Sequence, residues 1–293
     1  MPSLKDIRIR INSVKTTRQV TSAMKMVSAA KFKKAQDDIS HIRPYVDRLA
    51  GIIFDLSQSL DDGVELEWSA KRDPNKVLLV VVSSNRGLCG AFNSNVIKET
   101  EKVIKSKYNY QFKQGNLDIF AIGKQAQKIL KSHGYPVVKD FNELYTNTTF
   151  EAVKEIAVEI MESFRNEKYD DVVLIYNEFK NAAVQEVRSE QFLPLQLTEA
   201  GSGVYNSVDY IVEPDKISFI KKVIPEALQT MFYRVILESL ASEHGARMTS
   251  MHKATDNATD MLMELQLIYN KARQGAITTE ILEIVGGAEA LKK

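Results

Sequence analysis

The chain has 293 residues, 44% hydrophobic and 26% charged, with a formal net charge of +1. That length allows one or two domains, and the near-zero charge argues against bulk attraction to nucleic acid or anionic lipid. The single cysteine, Cys89, excludes a disulfide framework and fits a reducing compartment, while no run of about 18 apolar residues offers a membrane span.

The N-terminus is charged and lacks the apolar run of a signal peptide. Its apolar spacing is also too regular for a transit peptide. Pro2 and Ser3 can open a helix, with Asp6 in its first turn complementing the helix dipole. From Leu4 a heptad repeat begins. One seam is Leu4, Ile11, Arg18, Lys25, Phe32, Ile39, Val46, Ile53 and Leu60. The other is Ile7, Val14, Thr21, Ser28, Ala35, Ile42, Leu49 and Leu56. Alternating steps of three and four place both on one stripe, which predicts a coiled-coil helix over 1–60. The stripe is polar at Arg18, Thr21, Lys25 and Ser28. This fits either register control by buried polar residues or contact with something other than the partner helix. Lys5, Arg8, Arg10, Lys15, Arg18, Lys25, Lys31, Lys33 and Lys34 stand against the single acid Asp6 before residue 37. Such a basic helix suits an acidic partner surface, or equally a solvated face.

The period breaks over 61–73, around Asp61-Asp62-Gly63 and Trp68, which reads as a linker. An α/β domain follows over 74–209. KVLLVVVSS from Lys76 is a β-branched apolar run typical of a buried parallel strand. Asn93–Tyr108, KQAQKILKSH and Phe150–Glu167 read as helices. LDIFAIG and DVVLIYNEF read as strands, with a short strand or loop after Pro136 and an edge strand over Val184–Leu195. Strands alternating with helices imply a Rossmann-like layer with a largely parallel sheet. Thr198–Asp209 reads as loop.

From 210 to 293 the sequence predicts a second long helix, opening at Glu213-Pro214, with Pro225 kinking it or marking a restart. Met248, Met251, Thr255, Ala258, Leu262, Leu265, Tyr269, Ala272 and Ala276 hold the seam spacing. Two terminal helices joined through a folded insert must run antiparallel if they pair. The predicted fold class is therefore α/β, a long antiparallel coiled coil of N- and C-terminal helices with an inserted Rossmann-like domain. Gly245, Gly275, Gly286 and Gly287 in this helix point to a close surrounding wall, or to local looseness near a fraying end.

The motifs for chemistry are weak. RGLCG (Arg86–Gly90) sits where phosphate loops sit, but it is neither GxGxxG nor Walker A. A tight strand-to-helix turn is the better reading. Cys89 lacks a nucleophile signature. His41, His133, His244 and His252 show no metal-ligand spacing, and Glu280 and Glu283 lack a pocket as a catalytic pair. No catalytic residue, cofactor or metal is expected.

Three blocks carry a resemblance over nearly the whole chain: DIRIRINSVKTTRQVTSAMKMVSAAKFKKAQ, SSNRGLCGAFN, and ITTEILEIVGGAEA preceded by ELQLIYNKARQ. The chain resembles the gamma subunit of F-type ATP synthase, the central rotor shaft, and the bacterial type in particular. The resemblance implies a non-catalytic subunit of the proton- or sodium-translocating enzyme. Standing in the ring of alpha and beta subunits, it would couple rotation of the membrane c ring to ATP synthesis or hydrolysis on beta. Alpha and beta subunits, the epsilon subunit and the c ring are the implied partners, and nucleic acid is not. The implied place is peripheral, on the cytoplasmic face of the bacterial plasma membrane, with indirect membrane association. The implied beta-subunit and coupling contacts are Met24, Lys25, Lys31, Arg86, Arg247, Gln274, Thr278 and Glu280, with Thr198–Asp209 toward the c ring. The rivals are a hinge-type coiled-coil protein, which would need ATPase head segments, and a nucleotide-binding α/β enzyme, which would need a phosphate loop.

Overall fold

The computed structural model describes residues 3–58, 67–69, 72–145, 148–195, 213 and 215–290. Helix α1 spans Leu4–Gln58 and helix α6 spans Lys216–Ala290. Between them lie β1 (Val77–Val82), α2 (Phe92–Ser106), α3 (Asn109–Lys113), β2 (Leu117–Ile122), α4 (Lys124–Ser132) and β3 (Val137–Asp140). A 3-10 turn (Asn142–Tyr145), α5 (Phe150–Arg165), β4 (Asp171–Phe179) and β5 (Gln185–Leu193) follow. The chain divides into two compact units, Met1–Ser28 with Met248–Lys293, and Ala29–Arg247, so the division falls inside both long helices.

In the larger unit the sheet order is β3-β2-β1-β4-β5. β1 pairs in parallel with both β2 and β4, β2 in parallel with β3, and β5 antiparallel with β4. All six residues of β1 are buried, as expected of a central parallel strand covered on both faces. Its side chains alternate between two cores. Val77, Leu79 and Val81 join Val96, Ile97 and Ile104 of α2 and Ala126 and Leu130 of α4. Leu78, Val80 and Val82 join Val153, Ile160 and Phe164 of α5 with Ile224, Leu228 and Phe232 of α6. Each fully buried side chain of this size contributes about 1.5–3 kcal/mol. The first part of α6 is therefore a sheet-covering helix. Further along, Leu237 and Ala241 meet Ala35 and Ile39 of α1 beside Phe179 of β4. Arg43 fastens this contact by a bidentate bond to Glu238 at 2.7 and 2.8 Å.

In the smaller unit the helix ends pair antiparallel. Arg8 Nη2 donates to Tyr269 Oη at 3.3 Å, and the Thr21 and Thr255 hydroxyls bond at 2.9 Å. Moving up α1 from Arg8 to Thr21 thus moves back along α6 by nearly the same number of residues. Ile7, Met251, Ala258, Leu262 and Leu265 are buried. Every described side chain of the predicted α1 seam is buried or half-buried; Leu56 and Leu60 lie outside the described side chains. Beyond Ala272 every described side chain of α6 is exposed.

Several boundaries differ from the sequence reading for local reasons. Helix α6 starts at Lys216, because Asp215 caps it by accepting the Ser218 N–H at 2.8 Å. It continues through Pro225 without interruption; one missing N–H is tolerated where the helix is held by the core on either side. Helix α5 ends at Arg165, two residues early, because Glu167 takes a left-handed φ of 57°, a stop that glycine would have announced. Helix α3 and the 3-10 turn are too short to have a readable period. The loop Thr198–Asp209 lies outside the described residues.

Candidate functional site

The carboxyl ends of parallel strands are where doubly wound domains bind ligands, and the loop after β1 lies at one of them. Its polar groups are used internally. Ser84 N donates to Asn93 Oδ1 at 3.0 Å. The first N–H groups of α4, an obvious anion site, are all taken by this loop: Lys124 N by Asn85 Oδ1 at 2.9 Å, Gln125 N by the Ser84 carbonyl at 3.1 Å, and Ala126 N by Ser83 Oγ at 2.9 Å. Gly123, at φ 106°, permits this closeness, since a Cβ there would collide with the Ser83 carbonyl. On the other side the Arg86 and Gly87 carbonyls accept from Arg247, at 2.8 Å from Nη2 and 3.3 Å from Nε. Carbonyls gathered on a guanidinium have the opposite polarity to amides gathered on a phosphate. RGLCG is a clamp on α6.

The clamp has a charged centre. Arg247, 7% exposed, donates from Nη1 to Glu243 Oε1 at 2.6 Å, one turn away. Burial pushes the Glu243 carboxyl up, against Arg247, Lys31 and Arg86, which favour its ionised form. Burial, reinforced by Arg247 and Lys31, pushes His244 down to about 4, so its ring is neutral at pH 7. Burial also pushes the Cys89 thiol up. Cys89 accepts from Asn93 Nδ2 at 3.1 Å and is 2% exposed, the setting of an inert structural thiol. Gly245 lets α6 approach closely: a Cβ there would lie 3.3 Å from Phe32 Cε2 and 3.4 Å from the Ala182 backbone. Among the described residues no group of His, Cys, Asp and Glu could hold a metal ion.

The contact residues expected from the sequence fall in both units. In the larger unit Lys31 and Arg86 are exposed, whereas the Arg247 guanidinium is committed to internal partners. The structure brings Arg86 and Arg247 together through the Arg86 carbonyl. In the smaller unit Met24 and Lys25 are half-buried on α1, while Gln274, Thr278 and Glu280 are exposed on α6. Thr278 Oγ1 donates back to the Gln274 carbonyl at 2.9 Å, so these two share one turn. Around them stand Ile277, Ile281, Leu282, Ile284 and Val285, all 49–66% exposed. Gly275, Gly286 and Gly287 have open space where a Cβ would be.

A family model described as "ATP synthase" matches residues 3–291. A relative from Christiangramia forsetii, an "ATP synthase gamma chain", is 50% identical over 291 residues, covering 99% of each chain. The chain belongs to the ATP synthase gamma chain family. A second member, from Flavobacterium johnsoniae, is 52% identical over 295 residues. Among solved structures, a chain of the Euglena gracilis mitochondrial ATP synthase aligns with a TM-score of 0.67 at 20% identity, over 98% of this chain and 94% of that one. A chain from the Tetrahymena thermophila central stalk and c ring aligns at 0.58 and 24% identity, over 80% and 99%. At these identities the two structures establish the shared fold. No described helix is long and apolar enough to cross a membrane.

Sequence reading missed Glu243. The signal was present, since Glu243 and Arg247 have the i, i+4 spacing of a helix pair in its favourable order. What it could not supply was burial, which turns an ordinary surface pair into the centre of a clamp.

Proposed function

We propose that the chain is the central-stalk rotor subunit of an ion-translocating ATP synthase and performs no catalysis of its own. The observation that carries this is the end of α6. Past Ala272 an exposed helix presents Ile277, Ile281, Leu282, Ile284 and Val285 to solvent. A helix with apolar residues this exposed and no packing partner among the described residues is marginal in water and calls for a surrounding wall. A ring of alpha and beta subunits supplies one. The open space at Gly275, Gly286 and Gly287 suits a close wall.

An asymmetric helix pair meets each beta subunit with a different face. Coupling requires only that its contacts differ in strength between beta conformations. Met24 and Lys25 on α1 and Gln274, Thr278 and Glu280 on α6 are the contacts we assign in the smaller unit. Lys31 and Arg86 are those of the larger unit, with Arg247 acting through its hold on the Arg86–Gly87 backbone. The epsilon subunit and the c ring are the partners at the far end, driven by proton or sodium flow. We place the assembly on the cytoplasmic face of a bacterial plasma membrane, with this chain attached only through its partners.

The test is ATP hydrolysis by purified alpha and beta subunits with and without the chain. The chain alone should be inert, join a stable complex and restore turnover. Failure to join the complex or to change turnover sinks the reading. Met24→Lys should then leave assembly intact but uncouple hydrolysis from ion pumping, measured by proton uptake into vesicles carrying the whole enzyme.

A further inference from the structure

The α/β domain carries a segregated charge that neither its packing nor the rotor reading uses. Helices α2 and α4 touch each other and cover one face of the sheet. Each joins two parallel strands, so the two run in the same direction. Their apolar sides meet the sheet through Val96, Ile104 and Leu130. Their other sides carry two stripes of one form. Lys98, Lys102 and Lys105 on α2, and Lys124, Lys128 and Lys131 on α4, are spaced i, i+4, i+7, which is a single helical face, and all are exposed. The acids of these two helices are Glu99 and Glu101, and both are engaged. Glu99 lies 3.2 Å from Lys102, while Glu101 lies 2.7 Å from His133 Nδ1 and 3.9 Å from Lys105. Lys98, Lys124, Lys128 and Lys131 form no ion pair among the described residues. Like charges one turn apart weaken a helix, and the fold alone does not call for them.

We propose that the α2–α4 face is a docking surface for a helix of a partner protein that carries Asp or Glu at i, i+4, i+7 and lies along the lysine stripes. The stripes and the partner's acids share one helical spacing, so charge and geometry are complementary together. A chain of net charge +1 has little bulk attraction for nucleic acid or anionic lipid. No arginine stands on either helix, and arginine is the residue that forks onto phosphate. Exposed ion pairs are individually weak, so the contact is reversible, with its strength in encounter rate and salt sensitivity. The inference stands apart from the rotor reading.

The experiment measures binding of two labelled synthetic helical peptides to the full chain by fluorescence anisotropy as salt is raised. One carries Glu at i, i+4, i+7 along its length. The other has the same composition, with its Glu residues spread round the helix. The first should bind more tightly, with an affinity that falls as salt screens the charges. Lys124→Gln/Lys128→Gln/Lys131→Gln should weaken it roughly tenfold, at about twofold for each exposed pair lost. Lys5→Gln/Lys15→Gln/Lys34→Gln should leave it unchanged, which separates this face from the basic helix α1. Lys124→Glu/Lys128→Glu/Lys131→Glu should shift the preference to a peptide with Lys in place of each Glu. Equal binding of the two Glu peptides overturns the proposal, because bare charge would then suffice. An equal loss from the α1 changes overturns it too. So does tighter binding of phosphatidylglycerol vesicles or duplex DNA than of the first peptide, since the face would then belong to a different class of partner.

Discussion

Arg43 and Glu238 offer a measurable asymmetry. The Glu238 side chain is 5% exposed and that of Arg43 is 40% exposed. Glu238 takes the bidentate guanidinium and also the Phe179 N–H at 2.8 Å, while Arg43 Nη2 donates to the Phe179 carbonyl at 2.8 Å. Arg43→Met leaves a buried carboxylate with one remaining donor. Removing one partner of a buried pair costs ~3–5 kcal/mol, and the water-facing side of Arg43 places this case near the lower end. Glu238→Gln keeps the shape and one acceptor oxygen, and the guanidinium left behind reaches both water and the Phe179 carbonyl. The loss is then that of a charge-assisted bond, about 1.5–2 kcal/mol. The arginine change should therefore be the more damaging, by about 1 kcal/mol or more on these estimates. Urea unfolding of the full chain reads this through Trp68, its single tryptophan, 7% exposed and part of the core between the sheet, α5 and the start of α6. Midpoint shifts at constant slope report stability. Glu238→Gln proving worse than Arg43→Met, or both costing under ~1 kcal/mol, would refute the burial argument.

Thr21→Val or Thr255→Val alone should destabilise the chain by only about 0.5 kcal/mol, since each removes the shared bond while the remaining hydroxyl keeps a backbone acceptor, the Arg18 carbonyl for Thr21 and the Met251 carbonyl for Thr255. The double change should cost less than the sum, which a double-mutant cycle of melting temperatures would check. His244 gives an acid limb. Its folded value of about 4 lies below its unfolded 6.5, so the unfolded chain binds the extra proton between those values. Stability is full above pH 6.5 and falls as pH drops toward 4, by up to ~3 kcal/mol. His244→Gln should flatten unfolding free energy over that window. Gly245→Ala should be close to neutral, the helix gain of ~1 kcal/mol offset by the tight contact with Phe32 and Ala182. Gly245→Leu should cost ~1–3 kcal/mol by overpacking, seen in the same urea titration.

The elements follow from local patterns in the chain. Period 3.5 in α1 and late α6, β-branched runs in β1 and β4, and the change of period between them are local properties of the chain, and they reported antiparallel pairing because a folded insert joins the two helices. Family membership was equally legible in three short blocks. Tertiary structure decided what spacing cannot carry. Whether Arg247 points outward or inward depends on which carbonyls the loop after β1 presents. Whether Pro225 breaks α6 depends on the sheet that braces it. Whether Glu243 is a surface pair or a buried centre depends on the Arg86–Gly87 loop closing on its partner Arg247. Each is a matter of burial, set by residues far apart in sequence, and it is burial that gives these charges their strength.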